Sequence, residues 1–245
     1  MRYILSCLLL IILSANATYA EPADPKAYIQ MIYENKGGYT IPIEETSAII
    51  KEGGHPQYGE ITYDSAAHIL DDLNLTRQDV FYDLGSGVGK LVLQVYMTTP
   101  VKRSVGIEIS PTRWNISEAA HKEILNDDHL TPGRDLVFIN QNLLKTPLTE
   151  ATVCFLSGLA FPPQLIHSIM DRLSAADHDI KVLSVMPLPT HKNFTLVKTY
   201  KLPMSWSADG VDVCLYQVKP VQAEDPSKTK KGKRRHKRKE QQIEN

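Results

Sequence analysis

Val80-Phe81-Tyr82-Asp83-Leu84-Gly85-Ser86-Gly87-Val88-Gly89 decides the fold of this 245-residue chain. Val80 to Leu84 is an apolar run of strand length, and the glycines that follow turn the chain before Leu91-Val92-Leu93-Gln94-Val95-Tyr96-Met97 continues without a breaker. That is the start of a βα unit. A strand ending in a carboxylate and running into glycines is expected to bring bare backbone N–H groups to a ligand at the turn.

The spacing Gly85-x-Gly87-x-Gly89 separates two cofactor classes. Dinucleotide folds use G-x-G-x-x-G, which seats a pyrophosphate on the helix N-terminus. Here the third glycine comes one residue early and Asp83 precedes the first. A carboxylate there repels a pyrophosphate and attracts a cationic amine. S-adenosylmethionine carries an ammonium, a sulfonium and no phosphate. Glu108 lies 19 residues beyond Gly89, close to the spacing at which an acid reaches ribose hydroxyls. A lone G-x-G-x-G is a weak signal. Strand, Asp, glycines, helix, strand and Glu together are specific.

Downstream, the chain alternates. Ser104 to Ile109 reads as a strand, and Ser110-Pro111 opens a helix that runs to about Asn126. Leu136 to Asn140, Val153 to Leu156 and Ile180 to Met186 read as further strands, with a helix from Pro162 to Leu173. Phe194 to Leu202 and Asp212 to Val218 read as a hairpin turning at Trp206 to Gly210. The fold class is α/β: a doubly wound, mostly parallel seven-stranded sheet with an antiparallel C-terminal hairpin, of the Rossmann-like class I methyltransferase type. Ligands in such sheets bind beyond the strands' carboxyl ends, into which Asp83 and Glu108 would point.

Upstream, Tyr63 to Leu73 has the pattern of an amphipathic helix. Residues 21–57 are an extension with a short helix around Ala27 to Tyr33 and no assigned chemistry. Arg2, the apolar run Tyr3 to Leu13 and small residues at Ala15, Ala17 and Ala20 have the layout of a secretory signal over 1–20. The run is too short for the ~20 residues that span a bilayer, so export rather than a stable membrane anchor is expected. The formal charge of −1 hides an asymmetry, because residues 228–239 hold 9 of the 27 Lys and Arg. The body from 21 to 227 is left acidic. A polybasic run within 221–245 is expected to be disordered, and it reads as a solvated tail, a phosphate-backbone binder or a nuclear-targeting signal. Cys154 and Cys214 lie in apolar runs without a C-x-x-C pattern, so buried thiols are expected and neither a metal site nor a disulfide framework is indicated. Sequons start at Asn74, Asn115 and Asn193.

Tyr58-Gly59-Glu60, the Val80 to Gly89 stretch, Val92-Leu93-Gln94-Val95 and Gly106-Ile107-Glu108 resemble the non-SET histone lysine methyltransferases, the disruptor-of-telomeric-silencing family. The likeness runs from about Tyr58 to Val218, and a methyltransferase domain over 58–220 follows from it. The resemblance implies that Tyr58, Gly59, Glu60 and Ile61 close over S-adenosylmethionine, that Asp83, Gly85, Gly87 and Gly89 hold its amino-acid part, and that Glu108 holds its ribose. Asn142-Leu143 falls where the family has an Asp-Phe pair at the adenine, and the Asn oxygen could still accept from the adenine amine. Lys90 stands where the family usually has Gln. Ser157-Gly158 replaces an Asn pair, Val213 and Cys214 fall where the family has tyrosines lining a lysine channel, and Ser205-Trp206 keeps a Ser-Trp element. The substrate implied is a protein, histone or nucleosome. A methyltransferase for another protein or a small molecule, and a nucleic-acid-binding protein with a relict cofactor fold, stay open. An exported enzyme with a cytosolic cofactor makes sense if delivered into another cell's nucleus. No catalytic residue is named, because methyl transfer needs alignment and a dry channel more than a general base.

Overall fold

The computed structural model describes residues 24–127 and 129–220, so the leader and the polybasic run lie outside the described residues. Three helices precede the sheet: α1 (Pro25–Ile32), α2 (Ile43–Lys51) and α3 (Tyr63–Leu73). Then come β1 (Val80–Leu84), α4 (Lys90–Thr98), β2 (Arg103–Glu108), α5 (Pro111–Asn126), β3 (Asp135–Asn140), β4 (Val153–Leu156), α6 (Pro163–Ser174), β5 (Ile180–Ser184), β6 (Phe194–Met204) and β7 (Ser207–Val218).

The strands form one sheet in the order β3-β2-β1-β4-β5-β7-β6. The first five are parallel, and β7 joins β5 and β6 antiparallel. β1 is buried along its whole length, as a strand covered on both faces must be. The order reverses between β1 and β4, and this places the crevice at the ends carrying Asp83 and Leu156.

Helix α4 is buried from Val92 through Met97, so it is apolar nearly all round and sits inside the molecule. Leu84, Val92, Leu93 and Val95 are fully buried, each worth ~1.5–3 kcal/mol in apolar burial. Helix α3 begins with Thr62 accepting from the Ser65 N–H at 3.2 Å and ends at Asn74 in the left-handed region (φ 48°).

Two features depart from the expected pattern. The hairpin turns at Ser205-Trp206, since Met204 pairs with Ser207, and not across Trp206 to Gly210. Gly210 (φ +85°) instead lies inside β7 at a bulge, where a Cβ would fall 2.9 Å from the Leu202 carbonyl carbon. The second departure is α2, in an extension for which only the helix around Ala27 to Tyr33 is expected. Its Glu45 carboxylate accepts from the Thr112 hydroxyl at 2.7 Å and from Ser110, and so ties α2 to the start of α5. Cys154 and Cys214 are both free and buried.

Candidate cofactor and methyl-transfer site

The glycine loop folds back on β2. The Gly85 and Ser86 N–H groups donate to the Ile107 carbonyl at 3.0 and 2.9 Å, and the Gly89 N–H donates to Ser86 at 2.9 Å. The Gly87 N–H donates to Glu108 Oε2 at 2.8 Å. The expectation of bare N–H groups facing a ligand is therefore corrected, because the protein's own acceptors take them. A pyrophosphate would find no ring of free donors here. The glycines serve close approach: a Cβ on Gly87 (φ +56°) would lie 2.1 Å from the Tyr58 ring.

Asp83 is 4% exposed. Its carboxyl has no hydrogen-bond partner among the described residues. Burial, and then the charge of Glu108, push its pKa from 3.8 up to about 8. Glu108, 5% exposed, ends the neighbouring strand. Its Oε1 accepts from the Ser110 N–H at 2.7 Å and its Oε2 from Gly87. Burial raises its pKa, opposed by the Ser110 bond, the nearby Arg113 charge and the Gly87 bond. The Ile109 N–H also bonds to this carboxylate, so a ligand hydroxyl would share its oxygens with three backbone donors. Ser86 Oγ, beside the loop, is also buried without a partner. A buried carboxyl that lacks a donor is what a cationic amine would satisfy, so the residues present fit an amino-acid-bearing methyl donor.

Tyr58, Gly59, Glu60 and Ile61 form the front wall and are pinned to the hairpin turn. The Glu60 N–H donates to Ser205 Oγ at 2.9 Å, the Ser205 N–H donates to the Glu60 carbonyl at 2.8 Å, and Ile61 bridges to Met204. Trp206 covers Gly59 so closely that a Cβ would lie 2.4 Å from the indole. The Tyr58 hydroxyl donates to Glu60 Oε1 at 2.6 Å, and Lys90 Nζ donates to Glu60 Oε2 at 2.8 Å. Lys90 is thus paired with Glu60. Arg113, 3% exposed, holds the wall from behind. Its Nε donates to Gly38 O at 2.9 Å, its Nη2 donates to Pro56 O at 2.5 Å, and its guanidinium lies 4.8 Å from the Tyr58 ring centroid.

Two cavities meet at Tyr58, Gly59, Gly85 and Ser157. One, about 230 Å³, is lined by Glu108, Asn142 and Leu143 among others, and has the position of a nucleoside pocket. The other, about 40 Å³, reaches Asp83, Ser86, Lys90 and Phe155. Asn142 Oδ1 already accepts from the Leu144 N–H at 2.9 Å, and its amide nitrogen donates to the Glu52 carbonyl at 3.0 Å. Its oxygen retains one lone pair for an adenine amine. Arg113, Phe155, Glu52, Gly53, Gly54, His55 and Gln57 line the cavities without having been singled out in the sequence.

A family model described as "Histone methylation protein DOT1" matches residues 47–205. The chain belongs to this family. It is 29% identical over 184 residues to the Caenorhabditis elegans "Histone-lysine N-methyltransferase, H3 lysine-79 specific", covering 66% of this chain and 20% of that protein. To the Drosophila melanogaster protein of the same description it is 28% identical over 137 residues, covering 52% of this chain and 7% of that one. The chain thus spans a fifth or less of these two DOT1 relatives. Among solved structures it is similar to an RNA methyltransferase from Salinibacter ruber in complex with S-adenosyl-L-homocysteine, at 22% identity and a TM-score of 0.46, over 66% of this chain and 95% of that one.

The departures from the DOT1 pattern have physical counterparts. Ser157 lines both cavities at the end of β4. Gly158 is buried, and a Cβ there would lie 2.8 Å from Ile166 Cδ1, so α6 packs where a larger residue would project. Val213 and Cys214 are 0% and 2% exposed and belong to the core on either face of β7.

Proposed function

We propose that the chain is an S-adenosylmethionine-dependent methyltransferase acting on lysine side chains of a protein, with histones as the first acceptor to test. Asp83, a buried and unpartnered carboxyl beside a second buried acid, is the observation that carries this reading. When bound, S-adenosylmethionine supplies a methyl group on a positively charged sulfur.

This chain's residues do the rest. Asp83 would neutralise the ammonium, Glu108 would accept from the ribose hydroxyls, and Asn142 with Leu143 would bound the adenine. Tyr58 to Ile61, held by Ser205 and Trp206, exclude water from the small cavity. Phe155, Ile61 and Leu91 give that cavity an apolar wall, whose desolvation favours a neutral acceptor amine against the pull of the Glu60 and Asp83 carboxyls in the same lining. Ser157 is a hydroxyl at the junction, suited to orienting an acceptor.

The exchange of channel residues at Ser157-Gly158 and Val213-Cys214 favours a second reading, in which the acceptor is a non-histone protein or a small molecule. The reading of residues 1–20 as an export leader and of 228–239 as a DNA-binding or nuclear address rests on their composition and belongs to the same proposal. Incubating the full chain with labelled cofactor and nucleosomes is the test. Label on a histone supports the proposal, and label only on another component of a whole lysate moves the acceptor. Absence of both cofactor binding and label, with salt-sensitive DNA binding, selects the non-catalytic alternative.

A further inference from the structure

A third cavity, about 300 Å³, lies on the α1 and α4 side of the front wall. It shares Glu60, Ile61, Lys90 and Leu91 with the small Asp83 cavity, and none of its lining residues with the nucleoside pocket. The two cavities adjoin there, so a group moving from one to the other would pass Glu60 and Lys90. Tyr33, Thr62, Tyr63 and Gln94 complete much of the wall.

At the junction sits a complete seat for an ammonium ion. The Glu60 carboxylate is fixed by the Tyr58 hydroxyl, and the Tyr33 ring faces the same spot. Lys90 Nζ occupies the seat, 2.8 Å from Glu60 Oε2 and 5.4 Å from the Tyr33 ring centroid. Carboxylate plus aromatic face is the chemistry that recognises an alkylammonium. Nothing in it is particular to a lysine of this chain.

Resting on the lysine-acceptor reading above, we propose that this cavity is the antechamber for the acceptor's primary amine, and that Lys90 occupies the seat as an internal competitor. The acceptor class is a flexible segment presenting an alkylammonium, which displaces Lys90 from Glu60. Lys90 and Glu60 side chains are 35% and 19% exposed, so their pairing is weak enough to be exchanged.

The test uses n-butylammonium as probe on the full chain, with binding followed by chemical-shift titration and melting curves confirming that each variant folds. Removing the competitor in Lys90→Gln is expected to tighten butylammonium binding about threefold, the size of a partly exposed ion pair. Glu60→Gln is expected to abolish that binding, and Lys90→Gln should then restore nothing. Unchanged amine affinity in Lys90→Gln overturns the proposal. So does a tenfold loss of S-adenosylhomocysteine affinity with no change for the amine, which would make Lys90 a ligand of the cofactor's carboxylate. If S-adenosylhomocysteine fails to bind the wild type at all, the methyltransferase reading and the acceptor role that rests on it fall together, and the amine titration then reports only whether the seat exists.

Discussion

Asp83, one residue before the end of β1, and Glu108, the last residue of β2, lie on neighbouring parallel strands in a register that sets Asp83 beside Gly106, and the second acid helps to keep a proton on the first. Two buried carboxyls, the first without a hydrogen-bond partner among the described residues, form a site poised for positive charge.

Cofactor affinity should therefore depend on pH. Below about 8 the Asp83 carboxyl holds a proton that an incoming ammonium must expel. S-adenosylhomocysteine affinity is expected to rise roughly tenfold from pH 6 to pH 7 and to level off above about 8. Calorimetry in two buffers of different ionisation heat should show proton release at pH 7, and Asp83→Asn should show none.

Asp83→Asn should also stabilise the protein while abolishing function. In the unfolded chain Asp83 ionises near 3.8, but in the fold it keeps its proton to about 8. The wild type is thus fully stable with respect to this group below 3.8 and loses stability as pH rises towards 8. The variant escapes that loss but leaves a buried amide unpaired, costing ~1–3 kcal/mol. A net gain of about 2 kcal/mol, or roughly 4–8 °C in Tm, is expected at pH 8 and should vanish near pH 4.

Gly59→Ala tests the front wall. The new Cβ would fall 2.4 Å from the Trp206 indole, so the ring or the wall must shift, at ~1–3 kcal/mol. S-adenosylhomocysteine affinity should fall at least about tenfold. Gly37→Ala, with nothing within 4 Å, is the control and should bind as wild type.

Arg113→Met removes the donors to Gly38 O and Pro56 O and one charge that opposes the rise of the Glu108 pKa. A loss of ~3 kcal/mol in stability is expected. Hydrogen exchange should speed up across residues 37–58, and Arg113→Lys, which cannot fork to both carbonyls, should recover only part of the protection.

The sheet and both acids were legible in the sequence because each buried strand is a short apolar run and each acid stands where such a run stops. The loop's internal bonding was not legible. Whether Gly85 and Gly87 donate to a ligand or to Ile107 and Glu108 depends on β2 lying alongside, which no local pattern encodes. Gly210 reads as a turn glycine, although its positive φ serves a bulge while Ser205-Trp206 turns the chain. Helix α2 is short and exposes Ile43 and Ile50, so its apolar spacing gives little signal. Arg113 sits on a helix of mixed polarity, and its burial arises only from Gly38, Pro56 and Tyr58 folding over it.

The most direct test is calorimetric titration of S-adenosylmethionine into the wild type and Asp83→Ala at pH 8. The account predicts saturable one-to-one binding by the wild type and a loss of about a hundredfold or more in the variant, as expected when a buried charge loses its partner. Equal affinity in the two proteins, or no binding by a folded wild type, would contradict it.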